Sequence, residues 1–272
     1  MYKIVAIDAD GTLLTEQSVP EDNRRAINEA QSKGVHIALC SGRSSVSLKK
    51  FAAQMGLVPG LTHIIAFNGG LVFDGFGKQL MENRMGLDLA LYIISKVRRF
   101  NRTMAVYTEP EELVCEFPRG DEAEIERYTS GSLVKPTFIG SYETELKKNP
   151  YKLILLGETY QLKAVEAHLL AHGRDMEYDM SFSSKRLLEF SHINTNKGAG
   201  LKYVCERLGF DIAKDAAAIG DSYNDLSMIE AAALGCCMAN GEEGVKALAD
   251  YVTERDNVNC GVAEVFDKFI LK

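Results

Sequence analysis

The chain has 272 residues, 46% of them hydrophobic and 25% charged, which is enough for two domains or one large domain with a sizeable core. Its net charge of −7, without any long basic run, argues against nucleic acid as a partner. No apolar stretch approaches the roughly 18 residues of a membrane span. A strand begins so near the first residue that no signal peptide is expected. The six cysteines are scattered without a C-x-x-C pair, which favours a reducing cytoplasm over disulfides or zinc.

Strand and helix patterns alternate through the first part of the chain. The periodicity predicts strands over 2–7, 35–40 and 64–67, helices over 20–32 and 46–55, and a hairpin of 71–73 with 79–82. Proline and glutamate open the first helix, and Gly34 ends it.

The middle of the chain has a different rhythm. It predicts helices over 87–100, 122–128 and 160–171 and strands over 104–107, 113–117, 151–156, 178–182 and 187–190. The recurring order of one helix and two strands indicates an α+β layer with an open antiparallel sheet.

The last third returns to the first pattern, with helices over 198–208, 224–233 and 262–271 and strands over 216–219, 236–238 and 251–253. Near-continuous apolar strands separated by helices are typical of a parallel sheet covered on both faces. We therefore predict an α/β protein. Its Rossmann-like core domain comprises residues 1–83 and 192–272, and an inserted α+β domain of residues 84–191 splits the core in sequence.

The first strand ends in two carboxylates, Asp8 and Asp10, followed by Gly11 and Thr12. Strand alternation points both carboxylates the same way, and burial of a bare carboxylate is very unfavourable. A divalent cation would compensate their charge and leave one carboxylate able to act as a nucleophile. A strand that runs into a polar turn would explain the same residues without catalysis.

Polar residues also follow other predicted core strands. Asp8 and Asp10 follow the first strand, and Ser41, Asn68 and Asp221 follow three others. The carboxyl ends of parallel strands lie along one edge of a sheet, where ligands bind. One shared site explains these positions better than independent coincidences do.

Together these residues resemble the haloacid dehalogenase superfamily. Its four motifs are matched, in order, by Asp8-Ala9-Asp10-Gly11-Thr12, by Ser41, by Lys197 and by Gly220-Asp221-Ser222-Tyr223-Asn224-Asp225. The inserted segment resembles the α/β cap of the Cof-type subfamily. Asn68-Gly69-Gly70 and Met238-Ala239-Asn240-Gly241, in the core, resemble segments seen in that subfamily. The resemblance covers essentially the whole chain, although the cap is matched only in pattern.

The resemblance implies phosphoryl transfer through an aspartyl-phosphate. Asp8 would attack the phosphorus atom in line, and Asp10 would protonate the leaving oxygen and then deprotonate the hydrolytic water. Mg²⁺ would be held by Asp8, the backbone carbonyl of Asp10, and Asp221. Lys197 would bring a positive charge to Asp8 and to the phosphoryl oxygens, which would also accept hydrogen bonds from Ser41.

Further residues at the same edge are candidates for contact with the substrate: Ser41, Gly42, Arg43, Asn68, Gly69 and Lys197. Asp225 is expected just outside the metal ligands. Asn224 would contact either a metal-bound water or the ion itself.

Each assignment has a simpler alternative. Ser41 with Gly42 could form a plain turn, and Asn68 could merely tolerate a left-handed conformation. Lys197 could be solvated at the start of a helix. Asp221 could complement a helix dipole, as could Asp225.

The function that the resemblance implies is a Mg²⁺-dependent phosphatase of small phosphate monoesters, such as sugar phosphates or related metabolites. The inserted domain would act as a lid that selects the substrate. A phosphomutase of the same superfamily is the alternative. A receiver-like regulatory module is a third, disfavoured by the insertion and by Asp10 two residues after the candidate nucleophile. No nucleic-acid or membrane partner is expected, and a monomer is assumed.

Overall fold

The computed structural model describes residues 1–116, 122–130, 134–172 and 174–272. These form two compact units, each with its own sheet. The larger unit comprises Met1–Glu82 and Asn196–Lys272, and the smaller unit is the intervening segment Asn83–Thr195.

The strands of the described residues are, in chain order, β1 (Ile4–Asp8), β2 (His36–Cys40), β3 (Thr62–Ala66), β4 (Leu71–Asp74), β5 (Gln79–Glu82), β6 (Met104–Glu109), β7 (Glu112–Glu116), β8 (Pro136–Ile139), β9 (Lys152–Leu156), β10 (Tyr178–Ser184), β11 (Leu187–His192), β12 (Ala216–Gly220), β13 (Leu234–Cys237) and β14 (Tyr251–Val252).

The α-helices are α1 (Glu21–Ser32), α2 (Ser45–Met55), α3 (Leu87–Val97), α4 (Glu122–Thr129), α5 (Tyr142–Glu145), α6 (Thr159–Leu170), α7 (Lys197–Leu208), α8 (Ile212–Asp215), α9 (Leu226–Ala231), α10 (Glu243–Lys246) and α11 (Gly261–Val265). The longest have 12 residues. In the described part of the chain, none has the length and apolar character that a membrane crossing requires.

The sheet of the larger unit has the order β14-β13-β12-β1-β2-β3-β4-β5. All neighbours from β14 to β3 pair in parallel, and β4 and β5 add an antiparallel edge. Every residue of β1 and β12 is buried, as expected for central strands covered on both faces. The prediction of an α/β fold with a parallel-sheet core is confirmed.

The register of this sheet brings the carboxyl ends of its central strands level with one another. Asp8 lies opposite Cys40 at the ends of β1 and β2. Ile7 lies opposite Ile219 near the end of β12, and Cys40 lies opposite Ile65 in β3. The residues that follow these strands therefore share one edge of the sheet.

The sheet of the smaller unit has the order β10-β11-β9-β6-β7-β8. Its pairs are antiparallel, as predicted, except that β8 joins β7 in parallel. Apolar residues of α3 and α6, such as Ile93 and Leu162, pack on one face of the sheet against Val106 and Leu153. Residue 117, the predicted end of a strand, lies outside the described residues.

Several elements differ from the sequence prediction. The predicted helix over 224–233 is a 3-10 turn, Tyr223–Asp225, followed by the shorter α9. The last predicted helix is α11 followed by a π-helical segment, Phe266–Ile270. Four elements were not predicted, namely β8, α5, α8 and α10, and each has only four residues. None of the four contains a run of apolar residues like the one at 71–73 in β4, so no local pattern predicts them.

Candidate active site

Asp8, at the end of β1, lies in a buried ion-pair cluster. The Lys197 ammonium donates to Asp8 Oδ1 at 2.5 Å and to Asp225 Oδ1 at 2.6 Å. Lys197 and Asp225 are fully buried, and Asp8 is 4% exposed. Burial alone lowers the pKa of Lys197, but Asp225 and Asp8 more than reverse this and raise it. The lysine is therefore held as a cation, and one of its three N–H groups remains for another acceptor.

Lys197 reaches this position because it is the first residue of α7. The Asn196 side chain caps that helix by accepting a hydrogen bond from the backbone N–H of Ala199 at 2.8 Å. The next residue is Gly198, where a Cβ atom would lie 2.2 Å from the backbone oxygen of Ser227. Only glycine permits this close approach of α7 to α9, which brings Lys197 beneath the strand ends.

The loop after β12 is organised around Asp225. Its Oδ2 atom accepts hydrogen bonds from the backbone N–H groups of Asp221 and Ser222, both at 3.0 Å. The Thr12 hydroxyl, from the loop after β1, donates to Asp221 Oδ1 at 2.8 Å. A Cβ atom on Gly220 would lie 2.4 Å from Cβ of Asp225, so the turn depends on glycine. Asp221 is thus fixed by both loops.

Three carboxylates could hold a metal ion here. Oxygen atoms of Asp8, Asp221 and Asp225 all lie within 4.8 Å of one another. Burial, followed by the charge of Asp225, raises the pKa of Asp8 well above its ordinary range, and Lys197 only partly opposes this. Burial and then Asp225 likewise raise the pKa of Asp221 from 3.8 to about 6. The cluster thus carries excess negative charge on oxygen ligands, which suits a hard divalent cation such as Mg²⁺.

The three carboxylates are not equally available to a cation. Asp225 already uses Oδ1 for Lys197 and Oδ2 for two backbone amides. Asp8 and Asp221 each have one oxygen engaged by a side-chain donor, from Lys197 and Thr12. The residues therefore fit a cation held mainly by Asp8 and Asp221, with Asp225 orienting Lys197.

The Asp10 carboxylate is not part of this group of three. Its side chain is 53% exposed and pairs with Arg43. The Nε and Nη2 atoms of Arg43 donate to Asp10 Oδ2 and Oδ1, both at 2.6 Å, and Nη1 donates to Gln17 Oε1 at 3.1 Å. The role of the Asp10 backbone carbonyl as a metal ligand stays a prediction.

The predicted residues after β2 and β3 do lie together. The buried Ser41 hydroxyl accepts from the backbone N–H of Arg43 at 3.1 Å. A Cβ atom on Gly42 would lie 3.2 Å from Asn68 Oδ1. The same Asn68 oxygen accepts a hydrogen bond from Asn224 at 3.2 Å, so Asn224 belongs to this side of the site.

Gly69 has a packing role rather than a visible site contact. It follows Phe67 and Asn68, and all three adopt positive φ angles of 50°, 54° and 97°. A Cβ atom on Gly69 would lie 2.2 Å from the backbone oxygen of Asn196. The left-handed turn therefore lets the loop after β3 abut the start of α7.

Sequence reasoning assigned no role to several residues that support these loops. Thr12 belongs to the first matched motif, and Asn240 to one of the segments that resemble the Cof-type subfamily. Asn240 donates to the backbone oxygen of Gly11 at 2.8 Å, and Asn257 to that of Leu14 at 2.9 Å. No local pattern marks Asn257, because its partner lies 243 positions away in the chain.

Comparison with known proteins adds an independent finding. Residues 5–266 match a family model described as haloacid dehalogenase-like hydrolase. The Streptococcus pyogenes serotype M6 protein M6_Spy0533 is 31% identical over 274 residues, spanning 99% of this chain and 98% of that protein. The Bacillus subtilis 5-amino-6-(5-phospho-D-ribitylamino)uracil phosphatase YcsE is 29% identical over 270 residues, spanning 99% and 96%. A crystal structure of a haloacid dehalogenase-like hydrolase from Bacteroides thetaiotaomicron superposes with a TM-score of 0.87 at 25% identity, covering 98% of this chain and 99% of that one.

Proposed function

Since the chain belongs to the haloacid dehalogenase-like hydrolases, we propose that it is a Mg²⁺-dependent phosphatase that hydrolyses small phosphate monoesters through an aspartyl-phosphate. The observation that carries this proposal is the group of Asp8, Lys197 and Asp221 at the end of β1, in which Asp8 and Lys197 are buried and Asp221 is partly buried. YcsE is named for a phosphorylated ribityl compound, which supports sugar phosphates or related metabolites as substrates.

Asp8 is the nucleophile in this proposal. Its carboxylate forms a bond to phosphorus while the bond from phosphorus to the leaving oxygen breaks, giving an aspartyl-phosphate and an alkoxide. Asp10 delivers a proton to that oxygen as it leaves. Asp10 then takes a proton from the water that attacks the intermediate, which releases phosphate and restores Asp8.

The remaining groups stabilise charge on the phosphoryl oxygens. The third N–H of Lys197 can donate to one of them. The Ser41 hydroxyl accepts from a backbone amide and has no acceptor for its own proton among the described residues, so it can donate to another. When bound at Asp8 and Asp221, Mg²⁺ supplies positive charge that lets an anionic substrate approach these carboxylates.

The inserted domain, predicted over residues 84–191, is proposed to act as the lid that selects the substrate. The proposed residues for substrate contact at the strand ends are Ser41, Gly42, Asn68, Gly69 and Lys197, whereas Arg43, the sixth candidate, binds the Asp10 carboxylate. A monomer stays the expectation for the assembly.

The test is a phosphate-release screen over metabolite phosphates with Mg²⁺, run on the wild type, Asp8→Asn and Asp22→Asn. Asp22 is an exposed carboxylate on α1 and serves as the matched control. Asp8→Asn should lose turnover by at least about a thousandfold, whereas Asp22→Asn should match the wild type. Beryllofluoride should form its adduct on Asp8.

Retained turnover in Asp8→Asn, or an adduct on another residue, would contradict the proposal. Products are also assayed for isomerised sugar phosphate, because isomer without free phosphate would establish the phosphomutase instead.

A further inference from the structure

Both oxygen atoms of the Asp10 carboxylate accept hydrogen bonds from the guanidinium of Arg43. Both bonds measure 2.6 Å, in the bidentate geometry that is the strongest and most directional form of this pair. A bidentate partner fixes the plane of the carboxylate as well as its position. Asp10 therefore has a defined orientation although its side chain is half exposed.

Arg43 is itself held along its whole length. Its backbone N–H donates to Ser41 Oγ at 3.1 Å, and its carbonyl accepts from the backbone N–H of Phe67 at 3.0 Å. The guanidinium carbon lies 5.6 Å from the centre of the buried Phe51 ring. Its Nη1 atom donates to Gln17 Oε1 at 3.1 Å. This hydrogen bond to Gln17 helps to fix the orientation of the guanidinium plane.

We propose that Gln17 and Arg43 form a positioning pair that sets the orientation of the Asp10 carboxylate for proton transfer to the leaving oxygen. This rests on the proposed function, in which Asp10 is the proton donor. One of the two bonds to Arg43 opens during turnover so that one oxygen can carry the proton, while the other bond keeps the group aligned. Arg43 thus acts through Asp10.

The alternative for Arg43, direct contact with the phosphate, has a different kinetic consequence. A phosphate ligand contributes equally to all monoesters, because they share the phosphoryl group. A residue that positions the acid matters in proportion to how much the leaving oxygen needs a proton. The leaving group of phenyl phosphate is basic and needs a proton as it departs. The p-nitrophenolate of p-nitrophenyl phosphate is less basic and leaves readily without a proton.

The experiment measures kcat/KM with Mg²⁺ for these two aryl phosphates, which have nearly the same shape. This ratio covers the steps through formation of the aspartyl-phosphate, where the acid acts. The variants are Arg43→Lys, Gln17→Leu and Gln17→Glu. The control is Arg24→Lys, which makes the same change in an exposed bidentate pair with Glu21 on α1.

Arg43→Lys and Gln17→Leu should each reduce kcat/KM for phenyl phosphate about tenfold more than for p-nitrophenyl phosphate. Gln17→Glu keeps an acceptor oxygen for Arg43 and should retain most of the wild-type preference, and Arg24→Lys should retain all of it. Gln17 is exposed, so its replacement leaves the fold intact and tests the pair even where Arg43→Lys lowers stability.

Equal losses on both substrates would overturn the positioning pair and assign Arg43 to the phosphate. An unchanged preference in Gln17→Leu would also overturn it. These outcomes leave the proposed function standing as long as the wild type hydrolyses both compounds and Asp8→Asn does not. Only a wild type that releases phosphate neither from these two compounds nor from any metabolite phosphate in the screen would remove the two proposals together.

Discussion

Lys197 shows how a single residue can decide both stability and chemistry. Removing an ammonium from water is very unfavourable unless its partners compensate, and here two carboxylates lie within hydrogen-bond distance. Deleting the lysine would leave Asp8 and Asp225 buried side by side without a counter-ion. Their mutual repulsion would then oppose folding.

We expect Lys197→Met to lower the free energy of unfolding by about 3 kcal/mol. Lys202→Met, on the exposed face of the same helix, should change it by less than about 0.5 kcal/mol. Urea denaturation of the metal-free proteins measures both. Equal effects of the two substitutions would show that the buried cluster contributes no special stability.

At the scale of elements, glycines set the distances between the helices and strands that form the site. The start of α7 approaches α9 so closely that Gly198 cannot accept a side chain without a shift of backbone. Because Lys197 precedes it directly, any such shift also moves the ammonium away from Asp8.

Gly198→Ala should therefore cost about 1–3 kcal/mol of stability and also reduce turnover. The matched control is Gly60→Ala, where no atom lies within 4 Å of the added Cβ. Gly60→Ala should alter stability by less than about 0.5 kcal/mol and leave turnover unchanged. Urea denaturation and phosphate release measure the two effects, and full activity in Gly198→Ala would contradict the close-packing explanation.

A pair of histidines lies near the amino ends of β2 and β3, opposite the strand ends that form the site. His36 Nδ1 lies 3.1 Å from His63 Nε2, and the two rings are stacked with centroids 5.4 Å apart. His63 is 6% exposed, and its Nδ1 has no partner among the described residues. Burial, and then the neighbouring His36, lowers the pKa of His63 from 6.5 to about 4.

This pair should make stability depend on pH. Between pH 6.5 and 4 the unfolded chain takes up a proton that folded His63 does not, so the folded state loses stability as the pH falls. The loss amounts to at most about 3 kcal/mol. Urea denaturation at pH 7 and pH 4.5 should show a smaller difference for His63→Gln than for the wild type or for His172→Gln, an exposed control. An unchanged difference in His63→Gln would contradict this role.

For the whole molecule, net charge bears directly on how an anionic substrate could bind in the proposed reaction. The chain has a net charge of −7, and the carboxylates at the strand ends outnumber the cations. Within the described residues of the larger unit, Asp8, Asp10, Asp221 and Asp225 form ion pairs or a carboxylate group there with Lys197 and Arg43 as the cations. A phosphate dianion would therefore meet a repulsive potential unless a divalent cation is bound first.

We expect inorganic phosphate to bind only after Mg²⁺. Calorimetric titration of the protein with phosphate should give no measurable heat in EDTA and saturable binding in excess Mg²⁺. Asp221→Asn should weaken Mg²⁺ binding at least about tenfold and raise the Mg²⁺ concentration that phosphate binding needs. Phosphate binding of equal affinity with and without Mg²⁺ would contradict the proposed order.

Much of this protein could be predicted from local patterns. The alternation of apolar strands and helices predicts the parallel sheet, because periodicity reports which faces are buried. Asp8, Ser41, Asn68 and Asp221 could be placed on one edge, because parallel strands carry their following loops to the same side. The short elements β8, α5, α8 and α10 could not be predicted, since their segments have neither an apolar run nor a clear periodicity. The parallel pairing of β8 with β7 has no local signal either.

What the sequence by itself determined is the fold class and the set of residues that meet at the strand ends, because both follow from local order along the chain. Only the tertiary structure decided how those side chains pair. In the folded structure Asp10 pairs with Arg43, and Asp225 accepts hydrogen bonds from Lys197 and two backbone amides. Asn257 donates a hydrogen bond to the loop after β1. Such pairings depend on rotamers and on the distances that glycines permit between distant segments, and neither is encoded in any local pattern.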